Sequence, residues 1–218
     1  SSGERLNAQV NGGTITWVPG LFKGASQFSN NGYFKLPDGI MENITNFTLS
    51  VWVYINDQVS NQTVCTFANG TEQYLILTTQ RGNEENGVSL VMTKKHSDQE
   101  GHTNKDTKQK DKLSANAWHH LAFTLEGNTG ILYVDGVKAE VKNDFTTNPS
   151  VLGHTTDNYI GKPTWPDPYF NGMMDDFKIY DCALTEKQIL ELSSAADPLL
   201  VQDDKDKLSL SDLSAVTS

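Results

Sequence analysis

The chain has no apolar run approaching the 18 residues that mark a transmembrane helix, so no segment of it is expected to span a membrane. Positive charge is short: 17 Lys and Arg stand against 27 Asp and Glu, for a net charge of −10 and a pI near 4.8. Bulk electrostatics therefore make nucleic acid and anionic membrane surfaces poor partners. The same acidity suits a solubilised secreted protein and leaves carboxylates to spare for a hard cation such as Ca2+. Cysteine is scarce as well. Cys65 lies in a strand-like run and Cys182 just after one; both a disulfide and two half-buried free thiols stay open, and either is compatible with any compartment. Charged residues make up only 20% of the chain, below the usual globular share, and Asn, Thr, Ser and Gly fill the difference. Helical periodicity is confined to one place.

What is present is alternation. Residues 47–55 read Phe-Thr-Leu-Ser-Val-Trp-Val-Tyr-Ile: Phe47, Leu49, Val51, Val53 and Ile55 face one way, and Thr48, Ser50, Trp52 and Tyr54 the other. A strand with large groups on both faces belongs in the middle of a sandwich. The stretches 74–78, 88–93 and 118–125 read alike, and shorter strands are expected at 131–134, 159–161 and 174–180. Asp135-Gly136 supplies the positive φ angles of a two-residue hairpin into 137–139. The exception is 185–192, where Thr185 is the expected N-cap and Gln188 holds the capping-box position, with Ile189 and Leu192 facing inward. Residues 94–112 are polar, charged and aperiodic, which reads as a long solvated loop. Four Asn-x-Ser/Thr sequons, at Asn43, Asn46, Asn61 and Asn69, are expected by chance in an Asn- and Thr-rich chain. Opening on Ser-Ser-Gly-Glu, the chain is expected to be a fragment of a longer protein.

Three stretches carry a family resemblance. Gly24-Ala25-Ser-Gln-Phe28 through Tyr33-Phe-Lys-Leu36 leads into the 47–53 strand. Trp118-His-His-Leu-Ala-Phe-Thr124 is followed by Leu132-Tyr-Val-Asp135-Gly136. Phe170-Asn-Gly172-Met-Met-Asp175-Asp176-Phe-Lys-Ile179-Tyr180 runs into Ala183-Leu184-Thr185. In this order they resemble the laminin-G-like, concanavalin A-like jelly-roll domains of secreted bacterial proteins, over about residues 14–192. The resemblance implies an all-β fold, a two-sheet antiparallel jelly-roll β-sandwich with one short C-terminal helix. The domain is placed at 1–193, with 194–218 a linker or the start of a following module. It also implies a structural Ca2+ at Asp175, the first acid of its motif, joined by carbonyls of the N-terminal segment. Asn7, Asn11 and Asn30 stand where a partner acid would be expected, so the expected metal set is Asp175, Asn11 and Asn30.

Catalysis finds little support in the residues. Concanavalin-like glycosidases present acids on alternate positions of one strand, as in Glu-x-Asp-x-x-Glu. Here Glu42, Glu72, Glu84, Glu85 and Glu100 fall in expected loops, Glu126 precedes a turn, and Glu186 and Glu191 fall on the helix. No nucleophile elbow supports a Ser-His-Asp set. His119-His120 point to opposite faces of a strand, which does not suit zinc. Binding is better supported. Sugars stack their C–H faces on exposed Trp and Tyr while polar groups orient the hydroxyls. Trp52 and Trp118 read as core, and Trp17 as edge or core. Trp165 and Tyr169 lie in Lys162-Pro-Thr-Trp-Pro-Asp-Pro-Tyr169, a loop stiffened by proline, which lowers the entropy lost on holding a ligand. They are the first expected contacts, with Tyr74, Arg81 and His154 behind them.

The expected function is a non-catalytic, glycan-binding accessory module of a secreted multidomain glycoside hydrolase, its partners being a glycan and the neighbouring domains of the same polypeptide. A protein-binding or adhesin module, marked by a flat apolar patch, is the alternative. So is a ligand-free structural spacer, marked by a surface without exposed tryptophan.

Overall fold

Where side chains alternate cleanly, the strands follow. The computed structural model describes residues 8–22, 24–82, 87–96 and 112–195. The expectations placed on Asn7, on Glu84, Glu85 and Glu100, on loop residues 97–111 and on the chain after Ala195 lie outside the described residues. In β3 (Phe47–Ile55) the expected inward set is fully buried in one large core cluster. It pairs in register with β7 (Trp118–Glu126), so that Phe47, Leu49 and Val51 oppose Leu125, Phe123 and Leu121. β8 (Thr129–Val134) and β9 (Val137–Lys142) continue this layer, turning at Asp135 (φ 51°) and Gly136 (φ 78°) as the sequence requires. On its other side β3 pairs with β11 (Gly172–Tyr180).

The facing layer contains β4 (Thr63–Asn69), β5 (Gln73–Thr78), β6 (Ser89–Thr93) and β10 (Asp157–Ile160). Phe67, Leu75, Leu77, Leu90 and Met92 point from it into the same core as Leu49 and Phe123. Fully burying each such side chain contributes roughly 1.5–3 kcal/mol, which is what holds the two layers together.

One strand joins the layers. β2 (Ala25–Lys35) pairs with β1 (Gln9–Val18) along one edge. Along the other, Ser26 to Phe28 pair with β11, while Phe34 and Lys35 pair with β10. The change of partner falls at Asn30 and Asn31, both left-handed (φ 51° and 60°), opposite a slip in the β1 register between Gly12 and Thr14. The backbones close on each other there: a Cβ on Gly13 would stand 1.6 Å from the Asn30 carbonyl oxygen. The fold is therefore the expected two-layer antiparallel sandwich, formed by one hydrogen-bonded ribbon curled on itself.

The one α-helix among the described residues, α1 (Glu186–Ser194), carries the expected capping box between Thr185 and Gln188. Ile189, Leu184 and Leu192 lie over Ala122 and Tyr133, on the outer face of the β7–β8 layer. Cys65 is buried and Cys182 exposed, and both are free thiols. No helix among the described residues is long and apolar enough to cross a membrane.

Candidate functional site

The outer face of the other layer is treated differently. Along β4, β5 and β6 the outward positions include Ala68, Tyr74, Ile76 and Val91, an apolar cluster on a surface that would otherwise face water. The segment between β10 and β11 crosses this face, and its Trp165 is the side chain that packs on the cluster. The crossing is pinned from both sides: the Thr66 hydroxyl donates to the Lys162 carbonyl (3.0 Å), and the Thr63 amide to that of Pro168 (3.3 Å). Prolines at 163, 166 and 168 remove amide donors from this stretch, so these carbonyl contacts and side chains hold it in place.

Between the segment and the strands lies an open cleft of about 290 Å3, lined by Asn61, Tyr74, Arg81, His96, Trp165 and Asp167 among others. The ring of Trp165 stands edge-on to Tyr74 (centroids 6.3 Å apart, 89°) and 4.9 Å from the His96 ring. Tyr74 Oη is within 3.2 Å of His96 Nδ1. Asn61 donates from Nδ2 to Asp167 Oδ1 (3.3 Å) and accepts the Gly82 amide at Oδ1 (2.9 Å), and its own φ is left-handed (59°). The Asn61 sequon thus serves the cleft wall. Burial lowers the pKa of Arg81, opposed by the field of Tyr74 and Asp167; its guanidinium stays a cation, with less water around it than a surface arginine has. The cleft therefore presents one half-buried indole, a phenol and an imidazole beside an amide, a guanidinium and a carboxylate.

Three of the five expected ligand contacts, Trp165, Tyr74 and Arg81, meet here. Tyr169 does not line the cleft. It lies on the far flank of the segment against Tyr33 (6.2 Å), which stands edge-on to Tyr159 (5.4 Å), with the Lys162 ammonium over both rings. His154 is exposed and engaged with Glu42 at 2.7 Å, away from the cleft lining. His96 comes from the start of the stretch read as a solvated loop; it is exposed, as that reading has it, and its ring lines the cleft. Asn61 and Asp167 were also not foreseen as contacts; the one local signal was that Asp167 falls within the Pro-rich run around Trp165.

Of the expected calcium set, Asp175 is the member that meets the N-terminal segment through its carboxylate, at Phe22. Its Oδ2 accepts the Phe22 amide (2.9 Å) and its Oδ1 the Asp176 amide (2.8 Å), leaving one lone pair on each oxygen. Met174 is opposite Ser26, so Asp175 lies toward Ala25, while Asn30 is displaced along β2 in the other direction, by on the order of 15 Å. Asn11 is engaged with the Gln9 carbonyl (3.0 Å) beside that distant end of β2, and Asn30 is committed to the strand crossing. The structure does not bring Asn11 and Asn30 to Asp175. Among the described residues no group of three or more His, Cys, Asp and Glu side chains is gathered.

A second constellation is formed by Ser114, His119 and Asp135. Ser114 Oγ lies 2.9 Å from His119 Nε2, and His119 Nδ1 lies 2.8 Å from Asp135 Oδ2. The Ser114 carbonyl is also 3.1 Å from Nε2, so the hydroxyl and the carbonyl of Ser114 face the same nitrogen. The hydrogen bond to Asp135 raises the pKa of His119 against the effect of burial. The arrangement is a clamp between the start of β7 and the 135–136 turn.

Residues 28–190 match the sequence profile of the concanavalin A-like lectin/glucanases superfamily. No curated protein sequence matches the chain. Among solved structures, the fold is similar to domain 4 of AbnA, a GH43 extracellular arabinanase from Geobacillus stearothermophilus, in complex with arabinotriose. That similarity has a TM-score of 0.73 and 23% identity, covering 85% of this chain and 87% of that one. It is also similar to the binding domain of botulinum neurotoxin DC, solved in complex with rat synaptotagmin II (TM-score 0.63, 15% identity, 91% of this chain and 48% of that one). The same toxin domain has been solved in complex with SialylT (TM-score 0.61, 14% identity, 88% and 47%). The chain thus spans about half of the toxin domains and most of the arabinanase domain.

Proposed function

Because the chain belongs to the concanavalin A-like lectin/glucanases superfamily, we propose that it is a non-catalytic carbohydrate-binding module whose ligand lies in the Trp165 cleft. The observation that carries this reading is the composition of that cleft. A half-buried indole on a proline-stiffened segment offers a flat apolar plate to a sugar ring. Asn61, Arg81, Asp167 and the Tyr74–His96 pair offer donors and acceptors to its hydroxyls. The described similarity to an arabinanase domain bound to arabinotriose supports a pentose or hexose oligosaccharide as ligand, and a role as accessory to a secreted glycoside hydrolase.

A glycan-array screen of the chain beside Trp165→Ala tests this. Binding to a coherent set of glycans, lost in the variant, is the expected result; binding that survives the substitution moves the ligand elsewhere. A calcium ion at Asp175 is a separable part of the proposal. It rests on the family resemblance and on the contact between Asp175 and Phe22; Ca2+ takes six to eight oxygens, so carbonyls and water would join the Asp175 carboxylate. Chelation is then expected to lower the melting temperature, reversibly, by an amount equivalent to about 2.7 kcal/mol at calcium one hundredfold above its Kd. An unchanged melt leaves Asp175 as an amide-capped anchor.

A further inference from the structure

Strand β1 carries a second aromatic, which the Trp165 cleft does not use. Trp17 pairs with Ser26 of β2, Ser26 with Met174 of β11, and Met174 with Val53 of β3. Residues level across adjacent strands share a face, so Trp17 belongs to the core-facing side of its layer. Met174 and Val53 are buried there, 4% and 0% exposed, yet Trp17 is 74% exposed. β1 carries its tryptophan past the place where the facing layer covers the row.

The indole is not an isolated surface residue. It walls a groove of about 200 Å3 whose apolar floor includes Phe34, Met174 and Phe177, with Ser26, Asp175 and Asp176 supplying the polar part. The backbone beside it is irregular: the β11–β3 register slips between Asp175 and Lys178, and Asp176 is left-handed at φ 51°, a conformation that Asp and Asn adopt more readily than other non-glycine residues. A bulge of this kind re-aims side chains out of the strand alternation. Asp176 is among the residues that line the groove, while Lys178, 2.7 Å from its carboxylate, stands level with Ser50 on the outer face of the layer and is not part of the lining. An aromatic plate and polar side chains are thus placed together.

We propose that this groove is a second glycan contact, taking one neutral sugar residue with its C–H face against Trp17 and its hydroxyls toward Ser26, Asp175 and Asp176, which supply the polar lining. The volume falls below the roughly 300 Å3 at which pockets for drug-sized ligands begin, which matches a single ring. Two carboxylates at the groove disfavour an acidic sugar. The proposal rests on the carbohydrate-binding reading of the module and adds that a polysaccharide engages it at two places, on the outer face of one layer and at the edge where the layers part. Two weak contacts on one polymer then reinforce each other through effective concentration.

The test measures retention of the chain on immobilised arabinan, xylan, mannan and β-glucan, and titrates it with soluble trisaccharides of the same sugars. Trp17→Ala is expected to weaken retention on the bound polymer tenfold or more, to leave the cleft's affinity for its trisaccharide unchanged, and to leave the melting temperature unchanged. Trp17→Tyr, which keeps an aromatic plate, is expected to restore most of the retention. Trp165→Ala is expected to weaken both readouts. Retention of Trp17→Ala equal to the parent chain's overturns the second contact alone. Loss with Trp17→Ala but not with Trp165→Ala keeps this contact and overturns the cleft. No retention of the parent chain on any polymer overturns both.

Discussion

The outer faces of the two layers both carry apolar side chains, and the chain covers them in opposite ways. Over β7 and β8 it lays α1, a regular element whose hydrogen bonds are internal, so that Ile189 descends fully onto Ala122 and Tyr133. Over β4, β5 and β6 it lays a segment with three prolines, which has no regular pairing of its own and touches down at Trp165. A helix satisfies its own backbone and can close a face. A proline-rich crossing cannot; it leaves backbone and polar side chains facing a gap. The first face is a support and the second a cleft, although both begin from the same problem of apolar residues on the outside of a sheet.

If that division is right, substitutions on the helix face should change stability and leave binding intact, and the reverse should hold across the cleft. Ile189→Ala removes a fully buried side chain and is expected to cost about 2–5 kcal/mol in denaturant unfolding. The protein that remains folded should bind glycan as the parent does. A loss of binding at full folding would break the comparison.

The next effect comes from His120, buried on the covered side next to Trp52 (ring centroids 5.3 Å) and within 2.9 Å of Ser50 Oγ. Burial lowers its pKa to about 4, against the pull of Asp135. Its folded pKa lies below the unfolded value of 6.5, so its contribution is present above pH 6.5 and is lost as pH falls toward 4. His119 has the opposite sign. Its pKa is raised by Asp135, so its contribution is full below pH 6.5 and is lost as pH rises through the folded value. Acidification from pH 6.5 to 4 is expected to cost up to about 3 kcal/mol through His120. Unfolding curves of His120→Gln against the parent across that range check it; a constant difference between the two would remove His120 as the cause.

Trp165→Ala is expected to weaken glycan binding at least tenfold, about 1.4 kcal/mol, with little change in melting because the residue is only half-buried. Calorimetric titration with the glycan found on the array measures it. The smallest effect is on the helix itself. Thr185→Ala breaks the capping box and is expected to cost about 1 kcal/mol, visible as a small shift of the melt with binding unchanged.

Local rules made much of this legible. The alternation of β3, the Asp135-Gly136 turn and the Thr185–Gln188 cap are short-range consequences of residue type, and all three stand where the sequence places them. β1 was harder to read beyond its Trp17 stretch. Its Gln-Val-Asn-Gly-Gly start has no alternation, because Gln9, Val10, Gly12 and Gly13 are all exposed and no core selects a pattern there. The bulge at Asp175–Lys178 likewise interrupts the alternation of β11, where its register with β3 slips. In the cleft, Trp165 was readable from its prolines.

By itself, then, the sequence determined an acidic all-β chain, its strand faces, its hairpin turn and its capped helix, since each depends on residues within a few positions of one another. Only the tertiary structure decided that Asn61, His96 and Asp167 meet Trp165, that Tyr169 and His154 do not, and that Trp17 stands in the open. Those outcomes depend on which strands become neighbours and where one layer stops covering the other, and both are fixed by pairings between residues distant in the chain.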